Sequence, residues 1–196
     1  MNKRLAFKCC GLLAAGLVSN WAAAQAAPEA AWVAEARQVA GAVPPRLLSV
    51  LQEELERSGA EGAVAVCNEK APQMARAASE KSGWAIRRVS LRNRNPKAVP
   101  DAWEQAALQE FDRRLAAQEP ASKLEKSELT QEGGQNVQRY IRALPTAKLC
   151  LECHGSAEQI SPAVAARIKA LYPADQATGY SVGQLRGAIT LRKAVP

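Results

Sequence analysis

The feature that most constrains this chain is a pentapeptide, Cys150-Leu151-Glu152-Cys153-His154, followed by Gly155. It holds the only histidine of the 196 residues and two of the five cysteines. Cys-x-x-Cys-His is the spacing of covalent haem attachment. Two thiols add to the two vinyl groups of one haem edge, and the adjacent histidine then supplies one axial bond to iron. Covalent attachment keeps the cofactor even in an open pocket. The rivals fit less well. A structural zinc site wants four ligands, often as two Cys/His pairs, and the chain has no second histidine. A redox dithiol of the thioredoxin type sits in a βαβ context, which the element order below does not supply. The expectation is one covalent haem c, held by Cys150 and Cys153 with His154 on the iron.

The N-terminus bears on where this chemistry would happen. Lys3, Arg4 and Lys8 precede an apolar run from Cys9 to Val18, and Ala22-Ala23-Ala24 and Ala24-Gln25-Ala26 follow. This is the three-part pattern of a secretory signal peptide, residues 1–26. The apolar run is shorter than the roughly 20 residues a membrane span needs. Residues 27–196 then form one domain with no later membrane span, exported to the periplasm. The net charge is +7; removing the three leader cations leaves +4. Basic and acidic residues interleave, so no clustered patch points to nucleic acid. The leader takes two cysteines with it and leaves Cys67, Cys150 and Cys153. An odd thiol in an oxidising compartment requires an explanation.

Periodicity gives the architecture. An N-terminal helix within residues 27–58 is expected to be interrupted at Pro44-Pro45, with Leu47, Leu48, Leu51 and Leu55 as its apolar stripe. A second helix over 61–80 carries Val64, Cys67, Ala71, Met74 and Ala78 on one face, with a kink or break at Pro72. Residues 84–91 read as a strand whose alternation slips once, as at a bulge. Asp101 and Glu104 make a capping box for a helix carrying Trp103, Ala107, Phe111 and Leu115. Gly133-Gly134 is a turn between strands, and 138–143 is a strand. Ser161-Pro162 starts a helix. Leu185, Gly187, Ile189 and Leu191 alternate with Arg186, Thr190 and Arg192, giving a last strand with one wet face. Helices and strands do not alternate regularly, so the fold class is α+β with a small antiparallel sheet.

The iron's other side is the open question. A lone histidine excludes bis-histidine ligation within one chain. Cys67 is the one unassigned thiol and Met74 the one methionine after the leader. Met/His ligation raises the potential of a cytochrome c, whereas a thiolate donates charge and lowers it. The residues leave both open, and each is also an ordinary buried side chain.

Several stretches taken in order carry a resemblance: AVAVCNEKAPQMA (63–75), WAIRRVSL (84–91), RNPKAVPDAWE (94–104), RYIRAL (139–144), CLECHG and YPADQATGYSVGQLRGAITL (172–191). The set resembles a bacterial family of exported c-type haem proteins with a PAS-like haem domain, formerly a domain of unknown function. The resemblance implies a PAS-like sheet with flanking helices and His/Cys axial ligation. By motif, Cys150 and Cys153 become the thioether positions, and His154 and Cys67 the axial ligands. Met74 becomes a core residue.

Haem propionates want Arg, Tyr or backbone donors. Arg87, Arg94, Arg139, Tyr140, Tyr180 and Arg186 lie in the shared stretches and are the candidates. The expected function is that of a monohaem redox carrier, or a redox or gas sensor, with an unnamed redox partner protein and possible binding of a small gas. A peroxidase-like enzyme with an open distal site, or a haem-free PAS-type binding module, is the alternative. Enzymatic chemistry is the weaker reading, because no second histidine is present as a distal acid or base.

Overall fold

A computed structural model describes residues 29–196. Residues 1–28, which include the segment expected to be a signal peptide, lie outside the described residues. Nine principal elements follow in order: α1 (Ala31–Ala65), α2 (Ala71–Ser82), β1 (Ala85–Val89), α3 (Ala102–Ala116), β2 (Glu125–Glu132), β3 (Gln135–Pro145), α4 (Leu151–His154), α5 (Pro162–Leu171) and β4 (Leu185–Val195). The four strands form one antiparallel sheet in the order β1-β4-β3-β2. The fold is α+β, with a long helix at its N-terminal side.

The last strand of the chain is inserted between β1 and β3. Its first seven residues, Leu185 to Leu191, are all buried. The expected wet face is therefore absent there, because both faces of the sheet are covered. On one face, α3 packs Ala107, Leu108 and Phe111 against Val89, Ile141, Ala143 and Ala188. On the other, α1 packs Val33, Ala36 and Ala40 against Trp84, Ile86, Tyr140, Ile189 and Leu191. Burying a side chain such as Phe111 contributes roughly 1.5–3 kcal/mol. The same two-sided cover explains β1. Its register with β4 runs unbroken from Ala85 to Val89. Ile86 and Val89 are three residues apart and so point to opposite faces, each into a core. The slip in the pattern is not a bulge.

The helices differ from expectation in where they break. Pro44 and Pro45 lie inside α1 without ending it. The chain turns instead at Gly59, with φ 67° and ψ −176°, a conformation that costs glycine little. Leu47, Leu48, Leu51 and Leu55 are half-exposed or exposed rather than core, Leu48 at 42%. After Gly59 the returning arm packs Val64 on α5, against Ile160, Val164, Ile168 and Tyr172. Ahead of Pro72 the helix widens into a π-turn, Val66–Lys70. Pro72 has no N–H for the Asn68 carbonyl, so an i→i−4 bond is lost there, and the wider turn takes up the mismatch. Met74 is half-buried in α2, which contributes no fully buried residue. It is not core.

Local signals held where they were strongest. Asp101 accepts from the Glu104 amide at 2.9 Å, and Glu104 accepts from the Asp101 amide at 2.9 Å, completing the capping box of α3. Gly133 and Gly134 turn β2 into β3 with φ of 58° and 81°. Ser161 caps α5 through the Val164 amide. Asp101→Ala is expected to lower stability by about 1–2 kcal/mol, and Asp101→Asn by less, since Asn is an equally good cap. Urea unfolding midpoints at a constant m-value check this.

Candidate functional site

The site is built where three segments meet: the π-turn after α1, the short helix α4, and the start of β4. A single 3₁₀ turn, Lys148–Cys150, leads into α4, so all five residues of Cys-Leu-Glu-Cys-His lie on continuous helical backbone. Both thiols and the imidazole are half-buried. Among the described residues no disulfide joins Cys67, Cys150 and Cys153. Cys153 edges into the α1–α5 cluster, and burial, with Cys67 nearby, pushes its thiol up to about 11.

His154 is held by backbone. Its Nδ1 lies 2.6 Å from the Ala177 carbonyl oxygen. A carbonyl only accepts, so Nδ1 carries the proton and Nε2 keeps its lone pair. Burial, then Arg186 and Arg94, pull the imidazole down to about 2. It stays neutral at any ordinary pH, which is the state an iron ligand needs. The loop supplying Ala177 is laced to the motif at two more points. The Gly179 amide donates to Gly155 O at 2.6 Å and the Tyr180 amide to His154 O at 2.9 Å.

Arg94 ties this lacing together. Its guanidinium takes Asp175 at 3.0 and 3.1 Å, the Cys153 carbonyl at 2.6 Å and the Ala177 carbonyl at 3.3 Å. One buried side chain thus fixes the second cysteine, the carboxylate and the carbonyl that orients His154. Arg94 acts as a brace through its Nε and Nη2.

Arg186 approaches from β4 at a bulge. Leu144 pairs with Gly187 and Pro145 with Leu185, which leaves Arg186 as the extra residue. A bulge re-aims a side chain. Here Arg186 Nη2 comes 3.4 Å from His154 Nε2, and Nη1 donates to Ser90 Oγ at 3.3 Å. Gly187 permits the bend: its φ is 146°, and a Cβ there would meet Val89 O at 2.4 Å. Tyr180 stands edge-on to His154 with ring centroids 6.3 Å apart. The guanidinium carbons of Arg92 and Arg186 lie 4.2 and 5.2 Å from its centroid.

Cys67 enters from the π-turn. It is within electrostatic reach of Cys153, Tyr172 and Arg88. Arg88, not named among the sequence candidates, shares a β1 face with Ile86 and Ser90. Its electrostatic neighbours are Cys67, Cys150, Tyr180 and Arg94. It is open to solvent along one side yet ringed by protein, and desolvation lowers its pKa. Strand alternation alone would have separated Arg88 from Arg87. Which face holds the site is a tertiary fact that the alternation does not carry.

The structure thus brings together Cys67, Cys150, Cys153, His154, Arg94, Tyr180 and Arg186. It does not bring in three other candidates. Arg87 pairs with buried Glu104 on the α3 face. Arg139 lies over Trp103 and pairs with Asp101, Glu104 and Glu132. Tyr140 sits in the α1-side core, its hydroxyl bonded to Glu125, which also binds Arg37. Each is occupied in holding helices to the sheet.

The donor set suits a large planar cofactor. Among the described residues no three His, Cys, Asp or Glu side chains converge to hold a bare metal ion. The thiols instead share one short helical segment with a histidine whose Nε2 is unprotonated and oriented, and Cys67 and several cations are within electrostatic reach. A groove of about 410 Å³ lies on α5, lined by residues such as Ile160, Ile168 and Tyr172. None of the three cysteines or His154 lines it, so the chemistry belongs to the meeting point of the π-turn, α4 and β4 and not to this groove. No helix among the described residues is long and apolar enough to cross a membrane.

Comparison with known proteins agrees with this architecture. The solved structure of the cyanobacterial haem protein Tll0287 matches with a TM-score of 0.59 and 26% identity, over 84% of this chain and 92% of that one. A search of curated proteins returns no match. The family model described as Tll0287-like matches residues 20–193, nearly the whole chain. The chain belongs to the Tll0287-like family.

Proposed function

We propose that this chain is an exported monohaem c-type protein of the periplasm. Cys150 and Cys153 would hold the haem covalently, His154 and Cys67 would ligate its iron, and iron oxidation state would be the working variable. The observation that carries the reading is the 2.6 Å contact of His154 Nδ1 with Ala177 O, inside the Cys-x-x-Cys-His helix. It leaves Nε2 with a free lone pair, as an iron ligand needs, next to two thiols at the attachment spacing. The haem character of the cyanobacterial structure supports it.

When bound, the haem would supply one-electron chemistry. The chain's own residues do the rest. Cys150 and Cys153 fix the macrocycle edge, and Ala177 orients the imidazole. Arg94 holds Cys153 and Ala177 in one frame with Asp175. Tyr180 and the α5 cluster shield the histidine side from water. A thiolate at Cys67 would hold the iron at low potential and close the site to substrates. A redox carrier or sensor therefore fits better than a peroxidase-like enzyme. Met74 is the alternative ligand, but it lies beyond the π-turn with no observed tie to the cleft.

The test is spectroscopic, on protein matured with haem-attachment machinery. The ferric form is expected to be six-coordinate and low-spin. Carbon monoxide should bind the reduced form only where Cys67 leaves the iron. A high-spin ferric spectrum in the wild type would contradict the two-ligand reading.

A further inference from the structure

The groove on α5 is lined by none of the cysteines and not by His154, yet it shares a wall with their site. Its volume is about 410 Å³, and clefts of roughly 300–1,000 Å³ hold small molecules. Ile160, Ile168 and Tyr172 supply an apolar floor. The same three side chains belong to the cluster against which Cys153 packs. Two charged residues line the groove, Lys169 and Asp175. The charge of Asp175 is already matched by Arg94 at 3.0 Å. Lys169 is exposed and takes part in no ion pair among the described residues. The groove therefore presents apolar surface with one unmatched positive charge beside it.

We propose that this groove binds a small amphipathic carboxylate, an apolar chain ended by one carboxylate group, and that its occupancy is transmitted to His154. The carboxylate complements Lys169 while the chain covers the isoleucines. A cationic ligand would meet Lys169 as a like charge. A bare anion would leave the apolar floor in water and forgo its burial.

Transmission needs no large motion. Asp175 and Thr178 line the groove and bracket Ala177, whose carbonyl oxygen lies 2.6 Å from His154 Nδ1. Asp175 Oδ1 accepts from the Ala177 amide at 2.9 Å and from Arg94 Nε at 3.0 Å. Arg94 in turn holds the Cys153 and Ala177 carbonyls. One carboxylate thus stands in the groove wall and fixes the residue that orients the histidine. A ligand that shifts this loop alters the hydrogen bond that sets the orientation and basicity of the imidazole. The groove is then the input side of a sensor. That half of the proposal rests on the proposed function; binding in the groove does not.

Isothermal titration calorimetry with sodium octanoate on the haem-loaded full chain tests the site, with octanol and octylammonium as charge controls. Octanoate is expected to bind saturably and more tightly than either control. Lys169→Gln should weaken octanoate by roughly two- to fivefold, as loss of an exposed ion pair does, and leave octanol unchanged. Ala165→Trp, at an exposed position that lines the groove, should fill it and abolish binding. In the ferric protein, the hyperfine-shifted haem methyl resonances report the orientation of the axial histidine. They should move with octanoate in wild type and stay still in Ala165→Trp. No saturable octanoate binding, or equal binding of octylammonium, overturns the ligand assignment. A dimer in sedimentation that Ala165→Trp dissolves would make a second copy of the chain the occupant, and overturns it as well. Binding with unmoved haem methyl signals overturns the coupling to His154. A chain that matures without covalent haem is a different failure: the proposed function falls and the coupling with it, while calorimetry on that chain still decides the groove.

Discussion

Replacing Arg94 with alanine is expected to cost about 3–5 kcal/mol, a fall in Tm of roughly 10 °C. The variant strands Asp175, whose side chain is only 10% exposed, without its counter-charge. It also frees the Cys153 and Ala177 carbonyls that Arg94 holds. Arg94→Lys should recover little, because an ammonium cannot span Asp175 and two carbonyls as a planar fork does. The double variant Arg94→Ala with Asp175→Asn should be more stable than Arg94→Ala alone, since the uncompensated charge is gone. The site should suffer as well as the fold. His154 depends on Ala177 for its orientation, so the yield of correctly ligated haem should drop in proportion. Thermal unfolding and haem-to-protein absorbance ratios check the two effects separately. An Arg94→Ala protein as stable as wild type would mean that the lacing around α4 is not energetically important.

The second large effect is at Cys67. Under the proposed ligation, Cys67→Ser removes the sulfur ligand and leaves a hydroxyl that binds iron poorly. The ferric haem should pass from low-spin to largely high-spin. Its midpoint potential should rise by on the order of 0.1 V or more, a modest part of the ~0.8 V that axial ligands command. The reduced variant should bind carbon monoxide readily. Met74→Leu should leave all three readouts near wild type, because Met74 is half-buried on α2 and takes no assigned part in the cleft. The opposite pattern, with Cys67→Ser silent and Met74→Leu high-spin, would make methionine the ligand. The π-turn Val66–Lys70 gives the choice a structural cause. It changes the helical phase between Cys67 and Met74, so the two do not share one straight face.

What could be read from the sequence was what local chemistry controls. The Asp101–Glu104 box, the Gly133-Gly134 turn and the Ser161-Pro162 start each depend on residues within a few positions. Each appears as expected in the fold. What could not be read depended on which surfaces meet. Ile86 and Val89 looked like a slipped alternation because nothing local shows that both faces of the sheet are covered. Pro44-Pro45 is the stronger breaker on paper. Gly59 breaks the helix because the returning arm must reach α5. Arg87 and Arg88 are adjacent and alike, and only the tertiary position of α4 and the π-turn distinguishes the cleft-side residue. Arg186 was named from its stretch, but its reach to His154 comes from a bulge that the alternating pattern concealed.

The central claim is that a haem is bound covalently through Cys150 and Cys153. Acid-acetone extraction, followed by the intact mass of the exported protein, tests it most directly. The account predicts that colour stays with the polypeptide and that each chain gains the mass of one haem. Cys150→Ser with Cys153→Ser should abolish that gain. Colour that extracts freely into acetone, or a chain mass with no haem added after maturation, would contradict the account.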